Sequence, residues 1–308
     1  CDFWRHSTGL APTQKFVGLV EDKIVKDDLD GTWDNITASG FGSNTTRSNI
    51  TIAQGYAVFS NASTNVVQKW DQTNVTNLTT TPVFEGCVYY LRRLFTFGET
   101  VAISGAVNPS RTTFSAAGDI GDFAGADAGN MIFDDDDGDR LTGISQPFKG
   151  RLYFFKGPTF GSVWEMSGLT PATFNRVQVV EGAPCVSHKS IITTNNDIYW
   201  VSRHGVHSLS LAKEFGDVEA SLISAPIQDQ FRTFDQPDLM ACTGFYHPTR
   251  NIIGWFFTGA SQTENTEGWI YNLIHKTWAK WTIGLTNVAS CAVQLTPTTQ
   301  IPRLYLGG

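Results

Sequence analysis

Short strand cores built on aromatic residues recur along the chain, at Tyr56-Ala57-Val58-Phe59, Leu94-Phe95-Thr96-Phe97, Leu152-Tyr153-Phe154-Phe155, Ile198-Tyr199-Trp200-Val201, Gly254-Trp255-Phe256-Phe257 and Leu304-Tyr305-Leu306. With Phe59, Phe97, Phe154, Trp200, Trp255 and Tyr305 as markers, the intervals are 38, 57, 46, 55 and 50 residues. Radially repeating β architectures use about 40–50 residues per four-stranded unit, with loops of variable length. The spacing therefore predicts an all-β chain, a β-propeller of about six four-stranded blades.

Composition agrees. The chain holds 35 Thr and 29 Gly against 18 Leu, a balance that favours β-branched strands and tight turns over helices. Its 9 Trp and 21 Phe supply enough apolar surface to offset the entropy of ordering 308 residues, which excludes a disordered chain. The longest apolar run, Ile252-Ile253-Gly254-Trp255-Phe256-Phe257, is far shorter than the ~20 residues of a spanning helix, so no membrane segment is expected. The whole chain, 1–308, reads as a single propeller domain, with residues 1–80 as first blades or an attached module. Arg303-Leu304-Tyr305-Leu306 reads as a strand that breaks off at Gly307-Gly308, which leads us to expect a portion of a longer protein.

The clearest blade lies late. Cys242-Thr243-Gly244-Phe245-Tyr246 turns through Pro248 into the strand ending at Phe257, and a polar loop leads to Trp269-Ile270-Tyr271-Asn272 and then Trp278-Ala279-Lys280-Trp281. Two earlier stretches show three strands each, at residues 148–166 and 190–211, with corners at Asn195-Asn196 and His204-Gly205 that tolerate positive φ. One segment breaks the rhythm. Between residues 212 and 234, Phe215, Val218, Leu222, Ile223, Ile227 and Phe231 recur at helical intervals, and Pro226 splits the pattern into two short helices.

A net charge of -7 argues against a protein that grips nucleic acid, because phosphate binding runs on clustered Lys and Arg. An acidic wall does suit a passage through which nucleic acid slides without sticking. The acidity is concentrated. Asp119, Asp122, Asp127, Asp134, Asp135, Asp136, Asp137 and Asp139 follow one another with no Lys or Arg before Arg140. The EF-hand pattern is not met, since Phe133 stands five residues before Gly138 and no bidentate Glu follows; the readings left are a looser divalent site and a solvated acidic loop.

Other chemistry is sparse. Cys185, His188, His204 and His207 are four soft ligands on adjacent strands, but their spacing matches no zinc ribbon or finger. The five cysteines, Cys1, Cys87, Cys185, Cys242 and Cys291, are far apart and read as small buried thiols. There is no nucleophile elbow, phosphate-cradling loop or His-Glu-x-x-His helix. Asp28-Leu29-Asp30-Gly31-Thr32-Trp33 approaches the sialidase Asp-box but places its Gly one position late. Six Asn-x-Ser/Thr acceptors, at Asn35, Asn44, Asn49, Asn61, Asn74 and Asn77, are a pattern that Thr- and Asn-rich strands also generate by chance. No catalytic, cofactor or metal residue is assigned, and no cofactor is expected.

The middle of the chain resembles a family. Gly138-Asp139-Arg140-Leu141-Thr142-Gly143-Ile144 with Pro147-Phe148-Lys149-Gly150-Arg151-Leu152-Tyr153-Phe154-Phe155-Lys156, then Asn196-Asp197-Ile198-Tyr199-Trp200-Val201-Ser202-Arg203-His204-Gly205-Val206, is similar to the tail hub and nozzle propellers of short-tailed bacteriophages. Phe215-Gly216-Asp217 with Ser224-Ala225-Pro226-Ile227 resembles the helical connection that follows in that family. The likeness spans residues 84–283. It implies a structural virion protein, made in the host cytoplasm and assembled as a ring of usually six copies beneath the portal and adaptor. Double-stranded DNA would pass through without specific binding, and the acidic stretch would face the lumen or a neighbouring subunit. The competing expectations are a secreted or surface carbohydrate-binding propeller using Trp164, Trp269 or Trp278 as sugar platforms, and a propeller glycosidase with two converging carboxylates.

Overall fold

The computed structural model of the chain describes residues 2–6, 13–20, 22–27, 31–39, 41–42, 48–62, 66–215, 221–234, 237–259, 262, 265–281, 291–295 and 303–307. It contains two compact units: residues 1–141 with 167–175, and residues 142–166 with 176–308.

The first unit holds three four-stranded antiparallel sheets, in each of which every strand pairs with its neighbour in sequence. They are β1 (Asp2–His6), β2 (Thr13–Val20), β3 (Lys23–Asp27) and β4 (Trp33–Asn35); β5 (Asn49–Ala53), β6 (Tyr56–Ser60), β7 (Gln68–Trp70) and β8 (Val75–Asn77); and β9 (Val83–Tyr90), β10 (Arg93–Val101), β11 (Arg111–Phe114) and β12 (Gly129–Ile132). Residues 1–80, which carry no motif of the phage family, thus form two complete sheets. The first strands lie side by side, β5 touching both β1 and β9. Thr51 Oγ1 donates to the Cys87 carbonyl at 2.6 Å and Ser60 Oγ to that of Glu85 at 2.9 Å, so hydroxyls on one sheet satisfy backbone on the next.

The chain continues with β13 (Arg140–Ile144), whose first two residues belong to the first unit, β14 (Leu152–Gly157), β15 (Ser162–Ser167) and β16 (Asn175–Glu181); then, in the second unit, β17 (Ile192–Thr193), β18 (Ile198–Val201) and β19 (Val206–Ser208); β20 (Thr243–His247), β21 (Ile252–Thr258), β22 (Asn265–Asn272) and β23 (Thr277–Trp281); and the pair β24 (Cys291–Leu295) and β25 (Arg303–Gly307). Here too the first strands succeed one another, β20 lying against β17 and β24. The fold is the all-β propeller that the aromatic spacing predicts. Its sheets are not uniform among the described residues, since the fifth has three strands and the last is a hairpin.

The second strand of each sheet explains the repeat. Phe59, Phe97, Phe154, Trp200 and Trp255 are all fully buried, because a strand in the middle of a sheet that is stacked on both faces meets apolar neighbours whichever way its side chains alternate. Each such side chain contributes roughly 1.5–3 kcal/mol. The indoles also staple sheets together. Trp200 Nε1 donates to the Ala183 carbonyl at 3.3 Å and Trp255 Nε1 to the Ser190 carbonyl at 2.9 Å.

The helical insertion begins earlier than its periodicity suggests. Helix α1 (Leu209–Phe215) takes over directly after β19, where a strand through Leu211 was expected. The switch has a cause: Asp197 Oδ2 receives the Ser208 hydroxyl at 2.5 Å and the Ser210 hydroxyl at 2.6 Å, and Oδ1 the Ser210 amide at 2.9 Å, which ties down the first helical turn. Pro226 falls inside a 3-10 turn, Ala225–Ile227, that leads into α2 (Gln228–Phe231). Val218 lies outside the described residues, but Ile223, Ile227 and Phe231 do face one core, where Phe231 and Phe234 close on Phe257 at 5.6 and 4.5 Å between ring centroids.

Candidate functional site

The acidic stretch does not form one site. Strand β12 divides it, leaving Asp119, Asp122 and Asp127 in the loop before the strand and Asp134, Asp135, Asp136, Asp137 and Asp139 in the loop after it, at the opposite end. In the first loop the carboxylates serve the backbone. Asp119 Oδ1 accepts the Gly121 amide at 2.9 Å, and Asp122 Oδ1 accepts those of Ala124 and Gly125 at 3.0 and 2.7 Å. Asp127 pairs with Arg93 at 2.7 Å, and the hydrogen bond from that guanidinium holds its carboxyl below the usual carboxylate range. In the second loop Asp137 Oδ1 accepts the Asp139 amide at 2.9 Å, Asp135 receives Asn108 Nδ2 at 3.3 Å, and Asp139 is buried. Asp134, Asp135 and Asp136 are exposed. These are Asx-type turns, in which a short acid side chain replaces a backbone acceptor.

The zinc constellation is not assembled. Cys185 Sγ donates to the Ser187 carbonyl, His188 Nδ1 accepts the Ile144 amide at 3.4 Å, and His207 spends both ring nitrogens on serines, while His204 is exposed on its turn. Among the described residues no group of three or more His, Cys, Asp or Glu is arranged to hold a metal ion. Cys87, Cys185 and Cys242 are buried free thiols, and burial pushes the Cys87 thiol up to about 12. Cys291 corrects the reading of the cysteines as thiols throughout, for it is disulfide-bonded. Of the sequon residues, Asn61 is buried and donates to the Gly42 carbonyl, which withdraws it as a glycan acceptor; Asn44, like Asp28, Leu29 and Asp30 of the near Asp-box, lies outside the described residues.

Of the candidate sugar platforms, Trp269 and Trp278 are engaged in packing and Trp164 is half-buried. Trp269 is buried, Trp164 Nε1 donates to Ser162 Oγ at 2.9 Å, and Trp278 Nε1 donates to the Ile223 carbonyl at 2.7 Å while its ring packs on Trp255 and Tyr271. Buried acids are likewise engaged. Glu165 receives the Tyr153 hydroxyl and Lys213 Nζ, each at 2.8 Å, and pairs with Arg151; Glu85 pairs with Arg140 at 2.7 Å and Glu99 with Arg111 at 2.6 Å. Burial raises the Glu99 carboxyl despite its arginine.

One cavity was invisible in the sequence. The insertion, the turn after β18 and the residue after β16 enclose a cleft of about 650 Å³ lined by Gly182, His204, His207, Leu222, Ala225, Gln228 and Arg232. No motif marks it, because its wall comes from three separated segments. Several bonds fix that wall. His207 is fully buried, stacked on Trp200 at 5.2 Å, with Nε2 2.8 Å from Ser202 Oγ and Nδ1 2.7 Å from Ser221 Oγ. Burial depresses its imidazole to about 3. Ser224 Oγ accepts the Val206 amide at 2.9 Å. Gln228 Nε2 donates to the His204 carbonyl at 2.8 Å, which orients the amide and leaves Gln228 Oε1 buried without a hydrogen-bond partner among the described residues.

No family model and no curated protein matches the chain. Among solved structures, a chain of the crystal structure of the mitotic checkpoint complex superposes over 96% of this chain and 87% of its own, with a TM-score of 0.51 at 7% identity. The likeness is one of fold. At that identity it carries over no ligand, partner or activity.

Proposed function

We propose that the chain is a non-catalytic structural propeller of a virion, one copy in a ring, usually of six, that forms the hub or nozzle of a short phage tail. The ring would continue the genome conduit below the portal and adaptor. The observation that carries this reading is how the buried charge is used: Glu85, Glu99, Glu165 and Asp197 are each engaged by Arg, Lys, Tyr or Ser groups of their own unit. Such an arrangement stiffens blades and commits these four carboxylates to structural pairing.

Two further features favour it. The stretches that resemble the phage family serve turns and sheet packing, with Arg140 paired to Glu85 and Phe148 bridged to Arg151. The net charge of -7 disfavours adhesion to a passing duplex. Of the two acidic loops, residues 133–139 with exposed Asp134, Asp135 and Asp136 form the one proposed to face the lumen or a neighbouring subunit.

Mass photometry of the full chain, alone and with its neighbouring tail proteins, tests the proposal, with electron microscopy of the product. Closed rings of about six copies are expected. A chain that stays monomeric under all these conditions overturns it. In an assembled particle, finding residues 133–139 on the outer rim, away from the channel and every interface, ends the lumen assignment.

A further inference from the structure

We infer that two surfaces of the chain meet head to tail between neighbouring copies: an apolar knob with a basic flank, Ile274 with His275 and Lys276, seats on an apolar loop with an acidic flank, Ile103 and Val107 with Asp136. The inference deepens the ring reading and rests on it for the occupant being a second copy of this chain.

The receiving loop is longer than its hairpin requires. Residues 102–110, nine in all, join β10 to β11, where four, residues 158–161, suffice to join β14 to β15. The longer connection carries no charge, and Val101, Ile103 and Val107 are 41%, 42% and 43% exposed. Isolated apolar residues are common at a surface, but three of them between positions 101 and 107 form a patch of the kind that a partner covers. The loop is also held in place. Arg111 bonds Glu99 Oε2 at 2.8 and 2.6 Å and donates to the Ala106 carbonyl at 3.1 Å, and Asn108 Oδ1 accepts the Ser110 amide at 2.8 Å. Asn108 Nδ2 donates to Asp135 at 3.3 Å, which sets the acidic loop directly beside the apolar one. Asp136 is exposed there and makes no hydrogen bond or ion pair among the described residues.

The knob carries the opposite charge. Ile274 is 65% exposed in the turn between β22 and β23, a place usually given to Gly, Asn or Asp. Asn272 Oδ1 accepts the amides of Ile274 and His275 at 2.9 Å each, so the tip is fixed before a partner arrives and costs little to order. Lys276 is exposed and has no ion pair among the described residues, while the acid on β22, Glu267, is taken by Lys280 at 2.9 Å. Each surface is thus left to solvent in the single chain, apolar at its centre and charged at its rim, and the two rims have opposite sign, which is what steers and registers an interface. A contact between two different surfaces is heterologous, and repeated head to tail it closes a ring when the rotation allows. It sets residues 133–139 against the neighbouring subunit, not the lumen.

Sedimentation velocity of the full chain at about 0.05 M and about 0.5 M salt tests the inference, with mass photometry of the products. We expect reversible association that is weaker at the higher salt, and Ile274→Asp and Val107→Asp should each weaken it by at least about tenfold. Lys276→Glu and Asp136→Lys should each do the same, whereas an equal mixture of those two variants recovers association, because one pairing between them is native and the other is swapped in sign. All four positions are exposed, so the variants should keep the wild-type circular dichroism and melting midpoint. Association that survives Ile274→Asp and Val107→Asp overturns the inference and leaves the ring reading standing on another surface. A mixture of the charge variants that stays dissociated overturns it too, as does a wild type that is monomeric at about 0.1 mM. Open chains of varying length that the variants dissolve uphold this contact and overturn the closed ring.

Discussion

Ser221 Oγ lies 2.7 Å from His207 Nδ1, so a serine of the insertion and a histidine of β19 share one hydrogen bond in a fully buried setting. With Ser202 on the other nitrogen and Trp200 beneath the ring, the imidazole is the pin that fastens the insertion to the fifth sheet. Its neutral form is the one the site accommodates.

That pin gives stability a pH dependence. The folded imidazole titrates at about 3, below its ordinary value of 6.5. Between those values the unfolded chain binds a proton that the folded chain does not, so stability is complete above about pH 6.5 and falls as pH drops toward 3, by up to about 1.4 kcal/mol per unit. Urea unfolding between pH 7 and 4 should show this slope in the wild type. His207→Asn should be less stable at neutral pH and lack that component. Parallel slopes for the two proteins would refute the assignment.

Glu165 gathers Tyr153, Arg151 and Lys213 from β14, the turn before it and α1. Glu165→Ala strands these donors, but Arg151 and Lys213 are nearly half exposed and rehydrate, so the expected loss is about 2 kcal/mol, below the 3–5 kcal/mol typical of a fully buried pair. Glu165→Gln, which still accepts from Tyr153, should lose less. Chemical denaturation of both variants measures the difference, and equal losses would contradict it.

Two glycines with nearly the same backbone should respond differently to alanine. Gly161 and Gly138 have φ of +74° and +76°. A Cβ on Gly161 would lie 2.0 Å from Pro184 Cα, whereas one on Gly138 meets nothing within 4 Å. Gly138→Ala should therefore cost only the left-handed penalty of about 1–2 kcal/mol, and Gly161→Ala should add backbone displacement and fail to fold or lose more than about 3 kcal/mol. Thermal melts of the two variants decide the matter.

The acidic loops should ignore calcium. Asp119, Asp122 and Asp137 already serve backbone amides and Asp127 serves Arg93, and β12 keeps the two groups apart. A melt with about 1 mM calcium should match one with a chelator, because only a ligand favouring the folded state raises the midpoint. Asp122→Ala, which frees the amides of Ala124 and Gly125, should cost about 1 kcal/mol. A calcium-dependent rise that Asp122→Ala removes would establish a metal site.

Sequence and structure part company at particular residues. Strand β16, Asn175–Glu181, escaped notice because its first four residues are all exposed, so no alternation of buried and polar positions marks it. The strand through Leu211 was overdrawn because local pattern does not register Asp197 reaching Ser208 and Ser210. The acidic run looked like one feature because nothing in it announces that Gly129–Ile132 is a strand. The cleft left no trace, since Gly182, His204 and Arg232 meet only after folding.

What the amino-acid order determined by itself is the succession of blades: a buried central strand demands large apolar residues at consecutive positions, and tight turns demand Gly or Asn, both of which are local requirements. The tertiary structure alone decided which charges are free to act. Arg140 and Glu85 are 55 positions apart, and Lys213 and Glu165 are 48 apart, yet both pairs close to hydrogen-bonding distance. Electrostatic pairing depends on distance through space, which the chain path sets only once the sheets have stacked.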